Sequence, residues 1–350
     1  MKFVSTAVSS MLAGAALGAL MFAAPAQAQD MEEVNIMVPN NHTTTLFPVI
    51  VARNLGLFEK AGLKVNYLDS ETSVPYVAFL SNSQADAVML DAPQTLQAAN
   101  AKQPVKVVYE AMQNAPEGLY VPEGGEVKTI ADLKGKTIGL AGDRDRVTSE
   151  IVLQTAGLKG DDVQMVVVGT SGPVMAKAIQ DNQVQAFSAA INDLTVVAAF
   201  GVKLVDLTPK EVKLNPANTF SIWGPRMEEL RPRLEKFFRI WAMATAAGKI
   251  DPETVAKMCQ KEVSEEWENK DAGQALMDAS FSLNFPITEK YGDIEPEVWK
   301  SIQPLYLKVG DIEAEIDPAV FLDNSFIEAA NNFTEDEVKA ALEEWKAANP

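Results

Sequence analysis

The chain has 350 residues, with 48 Asp or Glu against 30 Lys or Arg and a formal net charge of −18. A chain this acidic lacks the basic surface that phosphate backbones require, which excludes nucleic acid as a partner class. One cysteine excludes an internal disulfide and one histidine excludes a histidine metal cluster, while the length suits about two domains.

The first 28 residues read as a secretory signal peptide. Lys2 supplies the positive start, Met11 to Ala24 the apolar stretch, and Ala26-Gln27-Ala28 the cleavage site. The apolar run falls short of the ~20 residues of a membrane span. No cysteine at the cleavage site supports a lipid anchor. The expectation is a soluble, exported chain from Gln29 onward.

Glu33 to Val38 alternates as a strand does. The polar loop after it runs into Leu46, Phe47, Ile50, Val51 and Leu55, spaced as in a helix. Pro48 fits only a first turn and sets the helix start near Thr44 or Thr45. Gly56 and Gly62 stop it, and Leu63 to Leu68 is the next strand. A polar loop and a short helix lead to a strand over Ala85 to Leu90. Asp91-Ala92-Pro93 opens a helix over Gln94 to Ala101, and Pro104 to Met112 is a further strand. After GLYVPEGGEV the pattern restarts, with strands at Lys136 to Ala141, Val163 to Val168, Val184 to Ala190 and Lys203 to Leu207. Helices over Val147 to Ala156 and Val174 to Asp181 alternate with them, the signature of parallel α/β sheets. From Met227 the spacing predicts helices, broken at Pro252, Pro286, Pro296, Pro304 and Pro318.

The two halves echo each other. AGLK occurs at Ala61 to Lys64 and at Ala156 to Lys159, each time leaving a helix for a strand. Ser83-Gln84-Ala85-Asp86-Ala87-Val88 resembles Asn182-Gln183-Val184-Gln185-Ala186-Phe187. A repeat this long is no solenoid unit and fits two similar α/β lobes.

Ligands of parallel α/β sheets bind beyond the strands' carboxyl ends, where helix N-termini present free N–H groups. Polar clusters stand at six such places: Asn41 to Thr45, Glu71-Thr72-Ser73, Asp91, Gly142 to Arg146, Gly169-Thr170-Ser171 and Asn192-Asp193. Each also suits plain helix capping. Their number at one face, and the excess at Asn41 to Thr45, point to a ligand. The candidate ligand-binding residues are Asn41, His42, Thr43, Thr44, Ser73, Asp91, Asn114, Arg144, Arg146, Thr170, Ser171, Asn192 and Asp193. Arg144 and Arg146 suit bidentate pairing with a carboxylate, sulfonate or phosphate, or else pair with Asp143 and Asp145 in a solvated turn. Phe220 and Trp223 suit stacking on a ring or a place in the core.

Several motifs taken together carry a family resemblance: GLFEKAGLKV, S-x-A-D-A-V-x-L-D-A-P, PVKVV, LYVP and I-x-DLKGKTIGL, in that order. The chain to about Phe238 resembles the substrate-binding proteins of ABC importers for nitrate, sulfonates, taurine and thiamine-type pyrimidines. PNNHTT resembles the first-strand loop of the pyrimidine-binding branch. The resemblance implies a type II-like, two-lobed periplasmic binding protein, each lobe a mostly parallel sheet flanked by helices. It implies two hinge crossings, placed near Leu119 to Pro122 and Ala217 to Trp223, and a helical C-terminal region returning to the first lobe. The lobes are then 29–120 plus 222–350, and 121–221. It also implies a periplasmic monomer that passes a small molecule to an inner-membrane ABC permease.

Two departures stand out. The family's frequent Trp-Asp-Pro is replaced by Ile191-Asn192-Asp193-Leu194, and a loop usually rich in Gly and Ser reads Gly142-Asp143-Arg144-Asp145-Arg146. No catalytic group, cofactor or metal is expected. The alternatives are a pyrimidine-biosynthesis enzyme on the same fold, whose cysteine cluster is missing here, and a ligand sensor for a membrane receptor.

Overall fold

The computed structural model describes residues 31–68, 76–143 and 145–350. The first half runs β1 (Glu32–Met37), a 3₁₀ turn at Thr44–Leu46, α1 (Phe47–Asn54), α2 (Leu57–Lys60), β2 (Leu63–Leu68), α3 (Tyr76–Ser81), β3 (Ala87–Leu90), α4 (Ala92–Asn100) and β4 (Val105–Met112). The second runs β5 (Glu117–Pro122), β6 (Thr137–Leu140), α5 (Asp145–Thr155), β7 (Gln164–Val167), α6 (Gly172–Gln180), β8 (Ala186–Ala190), α7 (Ile191–Thr195), β9 (Leu204–Asp206) and α8 (Lys210–Lys213). β10 (Ala217–Trp223) precedes the helices α9 (Met227–Ile250), α10 (Pro252–Glu262), α11 (Lys270–Asn284), α12 (Pro296–Val309), α13 (Ile327–Ala330) and α14 (Glu335–Ala348).

The described residues form two five-stranded sheets, ordered β2-β1-β3-β10-β4 and β7-β6-β8-β5-β9. In the first, β1 is parallel to β2 and β3, and β10 is antiparallel to β3 and β4. The second repeats this, with β6 parallel to β7 and β8, and β5 antiparallel to β8 and β9. Each antiparallel strand is the first laid down after the chain changes sheets. The segments expected as crossings, Leu119–Pro122 and Ala217–Trp223, therefore lie within strands, and the chain passes over between Met112 and Glu117 and between Asp206 and Ala217.

The sequence repeat has a structural cause. Ser83 and Asn182 both take a left-handed backbone, each at φ 55°, to turn from helix into strand. Three residues on, the Asp86 carboxylate accepts from the Asn35 N–H, and the Gln185 side-chain oxygen accepts from the Thr137 N–H, both at 3.0 Å. Gly62 and Gly157, at φ 69° and 76°, terminate the paired AGL segments in the conformation only glycine adopts freely.

α9 crosses the first sheet and buries Phe237, Phe238 and Trp241 against Phe220 and Tyr109, with Phe220 and Trp241 ring centroids 4.8 Å apart. Phe220 is thus a core residue; Trp223 is half-buried. Helix breaks at Pro252, Pro286, Pro296 and Pro318 appear as expected, but α12 runs through Pro304. Pro304 and Lys300, whose carbonyl loses its helical N–H donor, are both exposed, so the interruption falls on the open face of the helix.

The C-terminal helices do not all return to the first sheet. α12 buries Trp299, Ile302 and Tyr306 in a cluster that holds Leu119, Val121, Ile138 and Ile151 of the second half. The same cluster includes Leu96 and Val107 of the first half, so α12 wedges both sheets. α11 bridges them elsewhere, packing on the Thr44–Leu46 turn and on α7. None of the described helices is long and apolar enough to cross a membrane.

Candidate functional site

The loops beyond the carboxyl ends of β1 and β8 both pack on α11. In the first loop, the Thr43 hydroxyl donates to Glu266 Oε1 at 2.7 Å and the Thr44 N–H donates to Glu266 Oε2 at 2.8 Å. The Trp267 indole N–H points at the fully buried Thr44 hydroxyl, 3.3 Å away, and Asn284 donates to the Thr45 carbonyl. Arg53 donates to the Asn41 carbonyl and lies 3.4 Å from His42 Nε2. It also pairs with Glu262 at 3.2 Å. The His42 side chain is 60% exposed. The loop's excess of polar groups thus serves partly as a tether to the C-terminal helices.

Asp91 closes a capping box with Gln94 at the start of α4, and its carboxylate accepts from the Asn218 N–H at 3.1 Å. Asn114 is half-buried in the first crossing. Its neighbour Gln113 is buried and pinned by Ile287, Thr288 and Asp293. Arg146 takes the solvated-turn alternative, donating to Asp143 at 2.9 Å. Thr170 and Ser171 are exposed; Asn192 and Asp193 are half-buried and hydrogen-bonded to each other at 3.2 Å. Ser73 and Arg144 lie outside the described residues.

Between the sheets is a cavity of about 70 Å³ lined by Asp91, Gln94, Glu117, Asp145, Thr148, Asn215 and Tyr306. Of these, sequence reasoning selected Asp91 alone. Asp145 is buried at the α5 N-terminus and accepts from the Gly142 N–H. Asn215 is 7% exposed, and among the described residues its Oδ1 has no hydrogen-bond partner. Burial pushes the Tyr306 hydroxyl well above its ordinary range, the charges of Glu117, Asp311 and Asp91 adding to it, so it stays a neutral phenol. The GDRDR turn marked the region of Asp145. Tyr306 had no local signal, because its helix reaches the cavity only through tertiary packing. Among the described residues, no group of His, Cys, Asp and Glu is arranged to hold a metal ion.

The sequence profile described as NMT1/THI5 like matches residues 43–254, more than half of the chain. The chain belongs to the NMT1/THI5-like family. It is 26% identical over 176 residues to a Haemophilus influenzae protein assigned by name to thiamine biosynthesis, covering 50% of this chain and 54% of that one. A Uromyces fabae protein named 4-amino-5-hydroxymethyl-2-methylpyrimidine phosphate synthase is 24% identical over 156 residues, 44% of this chain and 45% of its own. The chain thus spans about half the length of these relatives. In structure it is similar to the periplasmic aliphatic sulphonate binding protein SsuA of Escherichia coli. That likeness has a TM-score of 0.63 at 17% identity and covers 82% of this chain and 96% of SsuA. The NMT1/THI5-like chain therefore has the two-lobed periplasmic binding protein fold that its motifs imply.

Proposed function

We propose that this NMT1/THI5-like chain is the periplasmic substrate-binding component of an ABC importer. On this reading it is exported by its first 28 residues and works as a monomer. It captures a small organic ligand, an organic anion or a pyrimidine-like compound, between its lobes and passes it to an inner-membrane permease. The observation that carries the reading is the pair of sheets with one strand order, joined by two crossings, with polar loops from both at their carboxyl ends. Such a clamp closes when the ligand's contacts differ between the open and closed states. On this reading the lobes are 29–120 plus 222–350, and 121–221, joined by the two passages between the sheets.

The name of the Uromyces relative favours a second reading, a pyrimidine-synthesis enzyme. Against it stands Cys259, the only cysteine, buried in the first core with its thiol pushed well above the ordinary range by burial and the charges of Glu266 and Glu262. A thiol held that way is a poor nucleophile.

A thermal-shift screen tests the transport reading on the chain from Gln29, unfolded and refolded to strip any carried compound. The screen offers sulfonates, taurine, nitrate, pyrimidines, flavins and aromatic carboxylates. A true ligand at about 100 times its Kd stabilises by about 2.7 kcal/mol, a rise of roughly 3–6 °C for a chain of this length. One responding class is the expected result, and a flat panel overturns the reading. With the responding compound in hand, His42→Ala is expected to weaken binding while changing stability by less than about 0.5 kcal/mol, as for other exposed side chains. Unchanged affinity removes His42 from the site.

A further inference from the structure

The cavity between the sheets touches both passages of the chain, since Ala115 lies in the first and Asn215 in the second. Asn215 is 7% exposed, and among the described residues its Oδ1 accepts no hydrogen bond. A carbonyl oxygen buried that way keeps its desolvation penalty until a donor meets it. The cavity has room for that donor. Its volume of about 70 Å³ exceeds the roughly 10–15 Å³ that one water needs and falls short of the roughly 300 Å³ of a whole-ligand pocket. It is sized for a head group.

The charged groups in its lining, among the described residues, are all acidic: Asp91 from the first half, Glu117 and Asp145 from the second. These carboxylates have partners within the protein, as Asp91 has the Asn218 N–H and Asp145 the Gly142 N–H. A carboxylate offers about four lone-pair sites, so a partner already held leaves further acceptor capacity. Among the described residues the carboxylates are not gathered as a metal-ligating group. An ammonium, which donates up to three N–H bonds in separate directions, suits acceptors spread over a wall better than a metal ion does.

Resting on the transport reading, we infer that this cavity is a subsite for a protonated nitrogen of the ligand, an ammonium or amidinium group, with Asn215 as its specificity-determining acceptor. The ligand is then an organic cation or zwitterion that seats its charged nitrogen between the sheets. Its nitrogen meets carboxylates contributed by both halves, and those contacts exist together only where the halves meet. Seating the nitrogen therefore favours the closed arrangement.

The test titrates methylammonium into the refolded wild-type chain by calorimetry and thermal shift at constant ionic strength. Tetramethylammonium, which has the same charge and no N–H to donate, is the control. The wild type is expected to bind methylammonium saturably and to ignore tetramethylammonium. Asn215→Leu, which fills the place with an apolar side chain of similar size, is expected to weaken methylammonium binding at least about tenfold, the usual worth of a hydrogen bond to a charged group. If Asn215→Leu does not fold, Tyr306→Phe decides, with a smaller loss expected. A wild type that does not bind methylammonium, or binds both cations alike, overturns the inference; the cavity then holds water only. So does a folded Asn215→Leu that binds methylammonium as the wild type does. An anion without an amino group that responds in the ligand screen, beside a silent methylammonium titration, leaves the transport reading standing and defeats this inference. A silent screen beside a methylammonium response lost in Asn215→Leu defeats the transport reading and upholds the cation subsite.

Discussion

Replacing Glu110 by Gln is expected to stabilise the protein by about 2–3 kcal/mol at pH 7 and by almost nothing at pH 4. Glu110 lies in β4, 5% exposed, and its Oε1 accepts from the Trp299 indole N–H of α12 at 2.6 Å. Burial raises its pKa from 4.5 to about 8; the Trp299 hydrogen bond opposes that rise, while the charges of Glu295 and Asp293 add to it. Below pH 4.5 the group is protonated folded and unfolded alike, and contributes nothing pH-dependent. Between pH 4.5 and 8 the unfolded chain releases a proton that the folded chain retains, so stability falls by up to about 1.4 kcal/mol per pH unit. Above pH 8 both states are ionised and the loss levels off.

Gln keeps the acceptor for Trp299 and removes the titration, so the difference between variant and wild type should grow from pH 5 to 8 and then flatten. Urea unfolding across that range measures it. A difference independent of pH would mean that Glu110 is already ionised in the fold. Because the contact joins β4 to α12, the effect reports on the helix that wedges the two halves together.

That wedge shows where the sequence was readable. Local patterns carried the alternation of strands and helices and even the paired turns at Ser83 and Asn182, since a left-handed residue and a strand-start hydrogen bond depend on neighbours. The strands β5 and β10 were read as hinges because their pairing partners are remote in sequence: Leu119 sits opposite Ser188, and Thr219 opposite Leu90. Amphipathic spacing marked the C-terminal helices but could not give their addresses. It does not say that Trp299 meets the second sheet's cluster, or that Glu266 reaches back to Thr44. The same limit applies to the first loop. Its polar residues are evident in sequence, but the partner that consumes their hydrogen bonds comes from the far end of the chain.

The repeat makes a sharper test, because two equivalent positions should respond unequally. Asp86→Ala is expected to destabilise by about 3–5 kcal/mol, and Gln185→Ala by about 1 kcal/mol. Both side chains accept a strand N–H at 3.0 Å, so that part of the loss is common to them. Gln185 otherwise donates only to the exposed turn at Asn182, where water substitutes readily. Asp86, 5% exposed, also takes Arg226 at 3.0 Å and has Arg233 at 3.6 Å, at the start of α9. Among the described residues, Arg226 Nη1 and Arg233 Nε are already buried without partners, and removing Asp86 leaves a partly desolvated pair of guanidinium groups held by Glu229 alone. Breaking one side of a buried pair costs more than the pair contributes, because the remaining charge keeps its desolvation penalty. Replacing Arg226 by Met in the Asp86→Ala background should therefore recover part of the loss, and chemical denaturation of the four chains measures the coupling. Equal losses at Asp86 and Gln185 would show that the ion network adds nothing beyond the shared hydrogen bond.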